Sequence, residues 1–185
     1  MVESDSSSTA CLNISNIVRN PSINLAMKDV RLEPMNEHEY ASFIQREIND
    51  YATENVAAGR WLQNEALVQS KKAHESLLPS GRETANQCFF IVRAEGTGKE
   101  VGAVWLAIFE QTKGKEAFVY YIEILEGSRG KGFGGLPLMA VEKKARELGA
   151  SNISLHAFWH NQRIVSLYKR VGYAVTSINM SKRIH

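Results

Sequence analysis

The chain has 185 residues, of which 44% are apolar and 23% are charged, proportions that are ordinary for one globular domain with a full hydrophobic core. Its 22 basic and 20 acidic side chains leave a net charge of +2, which does not favour a nucleic-acid-binding protein. No apolar run approaches the roughly 18 residues of a membrane span. Two cysteines, Cys11 and Cys88, are too few for a disulfide framework or a zinc site. We therefore expect a cytoplasmic domain that binds neither nucleic acid nor membrane.

Residues 1–27 lack the periodic apolar pattern of the rest of the chain. Serine and threonine cluster around Asp5, and no acidic residue follows until Asp29. An organellar transit peptide would explain this composition, but a single arginine, Arg19, is weak support for one. We favour a disordered tail or an upstream start preceding Met27. The folded domain is expected over residues 28–185.

The first half of the domain carries a predicted strand and two predicted helices. Residues 30–32 are a short strand candidate. Asn36 and Glu39 have the spacing of a capping box, which predicts that a helix begins there and continues to about Gly59. A second helix is predicted over residues 64–78, and we expect its buried face to consist of Leu67, Ser70, Ala73 and Leu77.

The second half predicts a β-meander followed by alternating helices and strands. Strand candidates over residues 88–94, 101–109 and 117–125 are joined by tight turns, which indicates antiparallel pairing. A helix over 135–148, a strand over 153–158, a helix over 161–171 and a strand over 173–180 follow. This order predicts a single α/β domain of mixed α+β type, with a central, mostly antiparallel sheet flanked by helices.

The most informative stretch is the loop Arg129-Gly130-Lys131-Gly132-Phe133-Gly134-Gly135. It joins a predicted strand to a predicted helix, so unpaired backbone N–H groups and the positive end of a helix dipole point to one place, which suits a phosphate. The glycines let the backbone approach a diphosphate closely, and Arg129 and Lys131 add positive charge. Pro137, in the first helical turn, removes one potential N–H donor. The loop therefore predicts a diphosphate site.

Several classes of protein bind phosphate through such a loop. The spacing Gly130-x-Gly132-x-x-Gly135 formally matches a dinucleotide fingerprint. However, the next predicted strand ends at Phe158 without the acidic residue that dinucleotide-binding domains place there. A P-loop is excluded, because the earlier glycine and the following Ser or Thr are missing. A glycine-rich hairpin without a ligand stays as the structural alternative.

The loop and the segment after it resemble the GNAT acetyltransferases. Arg129-x-x-Gly132-x-Gly134 is similar to that family's Arg/Gln-x-x-Gly-x-Gly/Ala signature. Asn161, Leu167-Tyr168 and Val171-Gly172-Tyr173 are spaced like the family's Asn-x-x-Ala-x-x-Leu-Tyr-x-x-x-Gly-Phe. The resemblance extends over roughly residues 30–184, and residues 54–61 and 77–81 also resemble a group of uncharacterised bacterial GNAT proteins.

This resemblance implies an enzyme that transfers the acetyl group of acetyl-CoA, as co-substrate, to an amine without a metal. It also implies strands that splay apart at the CoA site, with backbone groups of Ile122, Ile124 and Leu125 pairing with the pantetheine arm. The backbone N–H groups of residues 131–135 are expected to bind the CoA pyrophosphate, and Asn161 is expected to contact the cofactor. Tyr168 is placed to protonate the departing thiolate, unless it is only a core tyrosine.

Glu123 is the candidate general base, because it interrupts an apolar strand just before the loop and an attacking amine must lose a proton. Strand alternation puts it on the face opposite Ile122 and Ile124, and a bulge, common in the family, would re-aim it. The alternative is a solvated or salt-bridged glutamate. A backbone N–H near Ile124 is the expected oxyanion donor.

Three points stay open at this level. Ile164 stands where the family usually has a small residue, which leaves a CoA-binding or acyl-CoA-binding sensor without turnover as an alternative function. The acceptor, whether a small-molecule amine or an amine of a peptide or protein, is not identified, and a homodimer is neither favoured nor excluded. His156 and His160 would lie about 13 Å apart on a strand, so no metal site is expected.

Overall fold

The structure, a computed structural model, describes residues 29–133, 135–158, 161–180, 182 and 184. The tail predicted over residues 1–27 lies outside this range. In chain order the elements are β1 (Val30–Pro34), α1 (Glu37–Ala57), α2 (Ala66–Leu77), β2 (Gln87–Ala94), β3 (Glu100–Gln111), β4 (Gly114–Ile124), α3 (Leu136–Glu147), β5 (Ala150–Leu155) and α4 (Gln162–Arg170). None of the helices in the described ranges has the length and apolar composition needed to cross a membrane.

The described strands form one sheet in the order β1-β2-β3-β4-β5. The first four are antiparallel neighbours, and β4 pairs with β5 in parallel. A parallel pair needs a crossover connection, and α3 supplies it. The prediction of a mixed, mostly antiparallel sheet flanked by helices is therefore confirmed.

Each face of the sheet buries its own hydrophobic core. On one face, α3 contributes Val141 and Ala145 to a cluster that we call the α3 core. On the other face, α1 contributes Tyr40 and Phe43 to a cluster around Trp105 that we call the α1 core. Alternate side chains of the central strands supply both clusters, because successive residues of a strand point to opposite faces.

Helix α1 begins as predicted. The Asn36 side chain accepts from the Glu39 N–H at 2.9 Å, and the Glu39 carboxylate accepts from the Asn36 N–H at 2.9 Å. This reciprocal capping box satisfies two backbone donors that a helix start leaves without partners. It fixes the start of the helix that carries Arg46 and Asp50 toward the candidate site.

The predicted buried face of α2 is correct at Ser70 and wrong at Leu67 and Leu77. Ala66, Ser70 and His74 are the buried residues, whereas Leu67 is 42% exposed. The buried polar groups have partners on α1: the Ser70 hydroxyl donates to the Ile48 carbonyl at 2.7 Å, and His74 Nε2 contacts the Glu47 carboxyl. These polar contacts turn the helix away from the face that apolar spacing alone would bury.

The strand predicted over residues 173–180 is not formed, and these residues have no regular secondary structure. Their apolar side chains stay largely in solvent, with Val175 51% and Ile178 66% exposed. An alternating pattern describes a strand only when a sheet edge pairs with it. Within the described ranges, no strand takes that role for this segment.

Candidate active site

Strand β4 has an open edge where it extends beyond its partner β5. The parallel pairing runs from Lys115 to Val119, while β4 continues to Ile124. The Leu125 N–H donates to the Val101 carbonyl on β3 at 2.9 Å. Backbone groups of successive strand residues point to alternate sides, so those of Ile122 and Ile124 face away from β3, into the gap. This gap is the splay expected from the sequence.

The three residues predicted to pair with the pantetheine arm are not equivalent. Leu125 uses its N–H on Val101, and its carbonyl accepts from the Ser128 N–H at 2.8 Å. The Ile124 carbonyl accepts from Arg129 Nε at 2.9 Å, which ties the glycine loop to the end of β4. Ile122 and Ile124 are thus the two residues whose N–H groups face the gap.

The glycine loop has a backbone conformation that requires glycine at two positions. Gly130 has φ +71° and Gly132 has φ +86°, in the left-handed region that other residues rarely adopt. Phe133 is buried in the α3 core and anchors the loop. Gly135 is the N-cap of α3, while Gly134 lies outside the described residues. The loop therefore leads directly into a helix N-terminus, as predicted.

Two side chains of the loop contact the backbone that precedes it. Lys131 Nζ donates to the Gly127 carbonyl at 2.5 Å, and Arg129 is engaged with Ile124. Both cations stay at the exposed rim. Among the described residues, the backbone N–H groups of Gly130 and Gly132 have no acceptor within the protein. Such oriented N–H groups between two cations suit an anion.

Helix α4 forms the other wall of the gap. Asn161 is its N-cap, and its side chain accepts from the Ile164 N–H at 3.3 Å. Tyr168 lies two turns further along, with its ring 5.8 Å from that of Tyr173. Burial raises the pKa of Tyr168, so this phenol keeps its proton at neutral and moderately alkaline pH.

These elements enclose one cleft of about 730 Å³, a size typical of small-molecule sites. The predicted site residues that line it are Ile122, Glu123, Ile124, Arg129, Gly130, Asn161 and Tyr168. Ile164 and His156 also line it. Burial, and then the charge of Arg60, lower the pKa of His156, and its sequence partner His160 lies outside the described residues.

A β-bulge reorganises β4 just before Glu123. Trp105 pairs with Tyr121 and Leu106 with Val119, which leaves Tyr120 as the extra residue. As a result, Tyr120 and Tyr121 both contact the α1 core. Ile122 and Ile124 then pack on the α3 core, and Glu123 points toward α1. The bulge thus moves every side chain after Tyr120 to the opposite face of the sheet. Glu123 still points to the face opposite that of Ile122 and Ile124.

Glu123 belongs to a polar cluster that the sequence did not reveal. Its side chain is 14% exposed, and Oε1 accepts from Arg46 Nη2 at 3.1 Å. The Tyr121 hydroxyl lies 3.2 Å from Glu123 Oε2 and 2.7 Å from Asp50 Oδ2. Burial and then the two carboxylates raise the pKa of Tyr121, so the phenol stays protonated. The i, i+4 spacing of Arg46 and Asp50 on α1 was the one available signal.

Comparisons with known proteins agree with this geometry. The model of the acetyltransferase (GNAT) family matches residues 49–173. The chain is 37% identical to the uncharacterised N-acetyltransferase YdgE of Bacillus subtilis, over 83% of this chain and 97% of that protein. It is 34% identical to YycN of the same organism, named in the same way, over 84% of this chain and 99% of that protein. The crystal structure of YycN superposes with a TM-score of 0.80.

Proposed function

Because the chain belongs to the GNAT acetyltransferase family, we propose that it transfers the acetyl group of acetyl-CoA to a primary amine, by direct attack of the amine in a ternary complex. The acceptor is a small-molecule amine or an amine of a peptide or protein. The observation that carries this proposal is the cleft in which the open edge of β4, the glycine loop, Glu123 and Tyr168 meet.

The cleft has the donors that an extended amide-bearing arm ending in a diphosphate requires. Backbone groups of Ile122 and Ile124 face the gap, so the arm would bind there as an added strand. The N–H groups of Gly130 and Gly132, the start of α3, and the cations Arg129 and Lys131 would bind the diphosphate. The residues at positions 133–135 and Asn161 complete the proposed binding surface.

Acetyl-CoA supplies an activated thioester carbonyl, and the residues of the cleft manage charge and protons around it. Glu123 takes the proton that the amine loses on attack. The Ile124 N–H, which faces the gap, donates to the oxygen that becomes negatively charged. Tyr168 holds a proton at the opposite wall, and that proton goes to the departing thiolate sulfur; water in the cleft then reprotonates the Tyr168 phenolate.

Binding and turnover are separable tests of this function. Calorimetry with CoA measures cofactor binding, and thiol release from acetyl-CoA in the presence of a panel of amines measures transfer. Tyr168→Phe is expected to bind CoA within a few-fold of the wild type while kcat falls by about 10²-fold or more, the usual contribution of a positioned acid. Glu123→Gln is expected to lower kcat by a similar factor.

Tyr173→Phe is the matched control for Tyr168→Phe. Tyr173 packs beside Tyr168, and in the described part of the chain its buried hydroxyl has no hydrogen-bond partner. Its removal should leave kcat within about two-fold, because no polar contact is lost. CoA binding without turnover of any amine would instead favour the sensor function that Ile164 leaves open. Tight binding of NADH without competition by CoA would contradict the proposal.

A further inference from the structure

The hydroxyl of Tyr121 lies between two carboxylates. It is 2.7 Å from Asp50 Oδ2 and 3.2 Å from Glu123 Oε2. A phenol has one proton to donate. The 2.7 Å contact has the length of an O–H···O hydrogen bond to a carboxylate, whereas 3.2 Å is longer than the usual O–H···O range. The proton of Tyr121 therefore belongs to the Asp50 bond, and its oxygen presents a lone pair to Glu123.

The two oxygens of Glu123 have different partners. Oε1 accepts from the guanidinium of Arg46 at 3.1 Å, and a guanidinium is a donor that cannot accept a proton. A proton bound at Oε1 would face another donor. A proton that Glu123 acquires therefore resides on Oε2, the atom that faces the lone pair of Tyr121. There it would complete a hydrogen bond for which an acceptor is already in place.

We propose that Tyr121 and Asp50 are positioning residues that hold the proton taken up by Glu123 and pass it on. This proposal rests on the proposed function of Glu123 as the base. The amine gives its proton to Glu123 Oε2, and Glu123 then donates it to the Tyr121 oxygen. In the same movement Tyr121 gives its own proton to Asp50, and water removes it from that exposed carboxylate. Each oxygen gains one proton for each proton that it releases, so no phenolate forms.

The surroundings agree with transfer toward Asp50. Arg46 holds one oxygen of Glu123 and offers no acceptor. Glu47 is paired with His74 behind Asp50, and burial followed by the Asp50 charge raises the pKa of Glu47 to about 8. Asp50 is exposed, so water can reach it. Among the described residues, the other charged or titratable groups facing the cleft are Glu54 on α1, Tyr120 on β4 and, across the gap, Arg129, His156, Arg163, Tyr168 and Arg170.

The kinetic test compares the pH dependence of kcat in three variants with the wild type. In Asp50→Asn, the Tyr121 proton turns to the remaining carboxylate, Glu123, and stabilises its ionised form. The ascending limb of the kcat profile should move to lower pH by about one unit, and the plateau should fall about ten-fold because the base is weaker. Tyr121→Phe should lower kcat about ten-fold with the KM for the amine within two-fold.

Glu54→Gln is the matched control, because it removes the same charge from the cleft wall one turn along α1 without removing a partner of Tyr121. The limb should stay within about 0.3 units of the wild type, since Glu54 is only half-buried and solvent screens its charge. An Asp50→Asn profile that overlays the wild-type profile overturns the proposal. So does a Glu54→Gln profile that shifts as far as that of Asp50→Asn, because the effect is then one of net charge.

A second measurement does not depend on turnover. In the ligand-free protein, the Tyr121 hydroxyl proton should be visible by ¹H NMR at the low-field position typical of a short bond to a carboxylate. It should move upfield in Asp50→Asn, stay in place in Glu54→Gln and be absent in Tyr121→Phe. A signal unaffected by Asp50→Asn overturns the proton assignment. If the signals behave as expected and no amine is acetylated, it is the proposed function that fails.

Discussion

Gly102 on β3 lets the backbone of β4 approach at Glu123, and replacing it with alanine tests how strongly the candidate base depends on this approach. A Cβ at position 102 would lie 2.1 Å from the Glu123 carbonyl oxygen and 3.2 Å from its carbonyl carbon. Both neighbours are backbone atoms of a residue that pairs with β3. They cannot rotate away as the end of a side chain would.

The size of the disturbance follows from these distances. Ordinary contact begins at 3.4 Å, so strands β3 and β4 must separate locally by about 1.3 Å. Overpacking of this kind typically costs about 1–3 kcal/mol of stability, which for a chain of this size lowers Tm by roughly 2–4 °C per kcal/mol. The same shift displaces Glu123 from its position in the cleft. A misplacement of about 1 Å can lower kcat by about 10²-fold.

Thermal denaturation and the thiol-release assay measure the two effects of Gly102→Ala. Gly127→Ala is the control, because it adds the same methyl group where nothing lies within 4 Å. The control should retain both Tm and kcat. If Gly102→Ala matched Gly127→Ala in both measurements, the close approach of β3 to Glu123 would have no role in stability or in catalysis.

Three further predictions concern the cap of α1, the glycine loop and the buried Glu47–His74 pair. Asn36→Ala removes the capping box and should lower the free energy of unfolding by about 1 kcal/mol in urea denaturation. Gly132→Ala places a side chain at φ +86° at a cost of about 1–2 kcal/mol, which should weaken CoA binding about 5- to 30-fold by calorimetry. Burial raises the pKa of Glu47 from 4.5 to about 8 and lowers that of His74 from 6.5. Between pH 6.5 and about 8, the folded state therefore holds one more proton than the unfolded chain, and the free energy of unfolding falls as the pH rises, by up to about 1.4 kcal/mol per unit. Glu47→Gln, which resembles the protonated carboxyl, should abolish this slope in urea denaturation.

Features that depend on one short segment of the chain could be predicted from the sequence. The capping box at Asn36 depends on two residues three positions apart, and the positive φ of Gly130 and Gly132 follows from the turn that they form. The meander strands are continuous runs of apolar and β-branched residues. These features were readable from the sequence because their partners are close neighbours or because the composition is unambiguous.

Long-range polar pairing could not be read in this way. His74 is buried against Glu47, which lies on another helix, and apolar periodicity treats such a residue as exposed. The Asp50–Tyr121 bond joins α1 to a strand far along the chain. The bulge at Tyr120 was anticipated from the family resemblance alone, and the stacking of its ring on Trp105, with centroids 4.5 Å apart, is a property of the assembled sheet.

The charged side chains that line the cleft are separated by sign onto its two walls. Arg129, Arg163 and Arg170 lie on the loop and α4 wall, whereas Asp50 and Glu123 lie on the α1 and β4 wall. A cleft with walls of opposite sign orients charged ligands before any close contact forms. The phosphates of CoA would be drawn to the arginine wall, beside the glycine loop. An ammonium acceptor would be drawn to the carboxylate wall, beside Glu123, the proposed base, and beside the Tyr121–Asp50 pair that is proposed to return its proton to water.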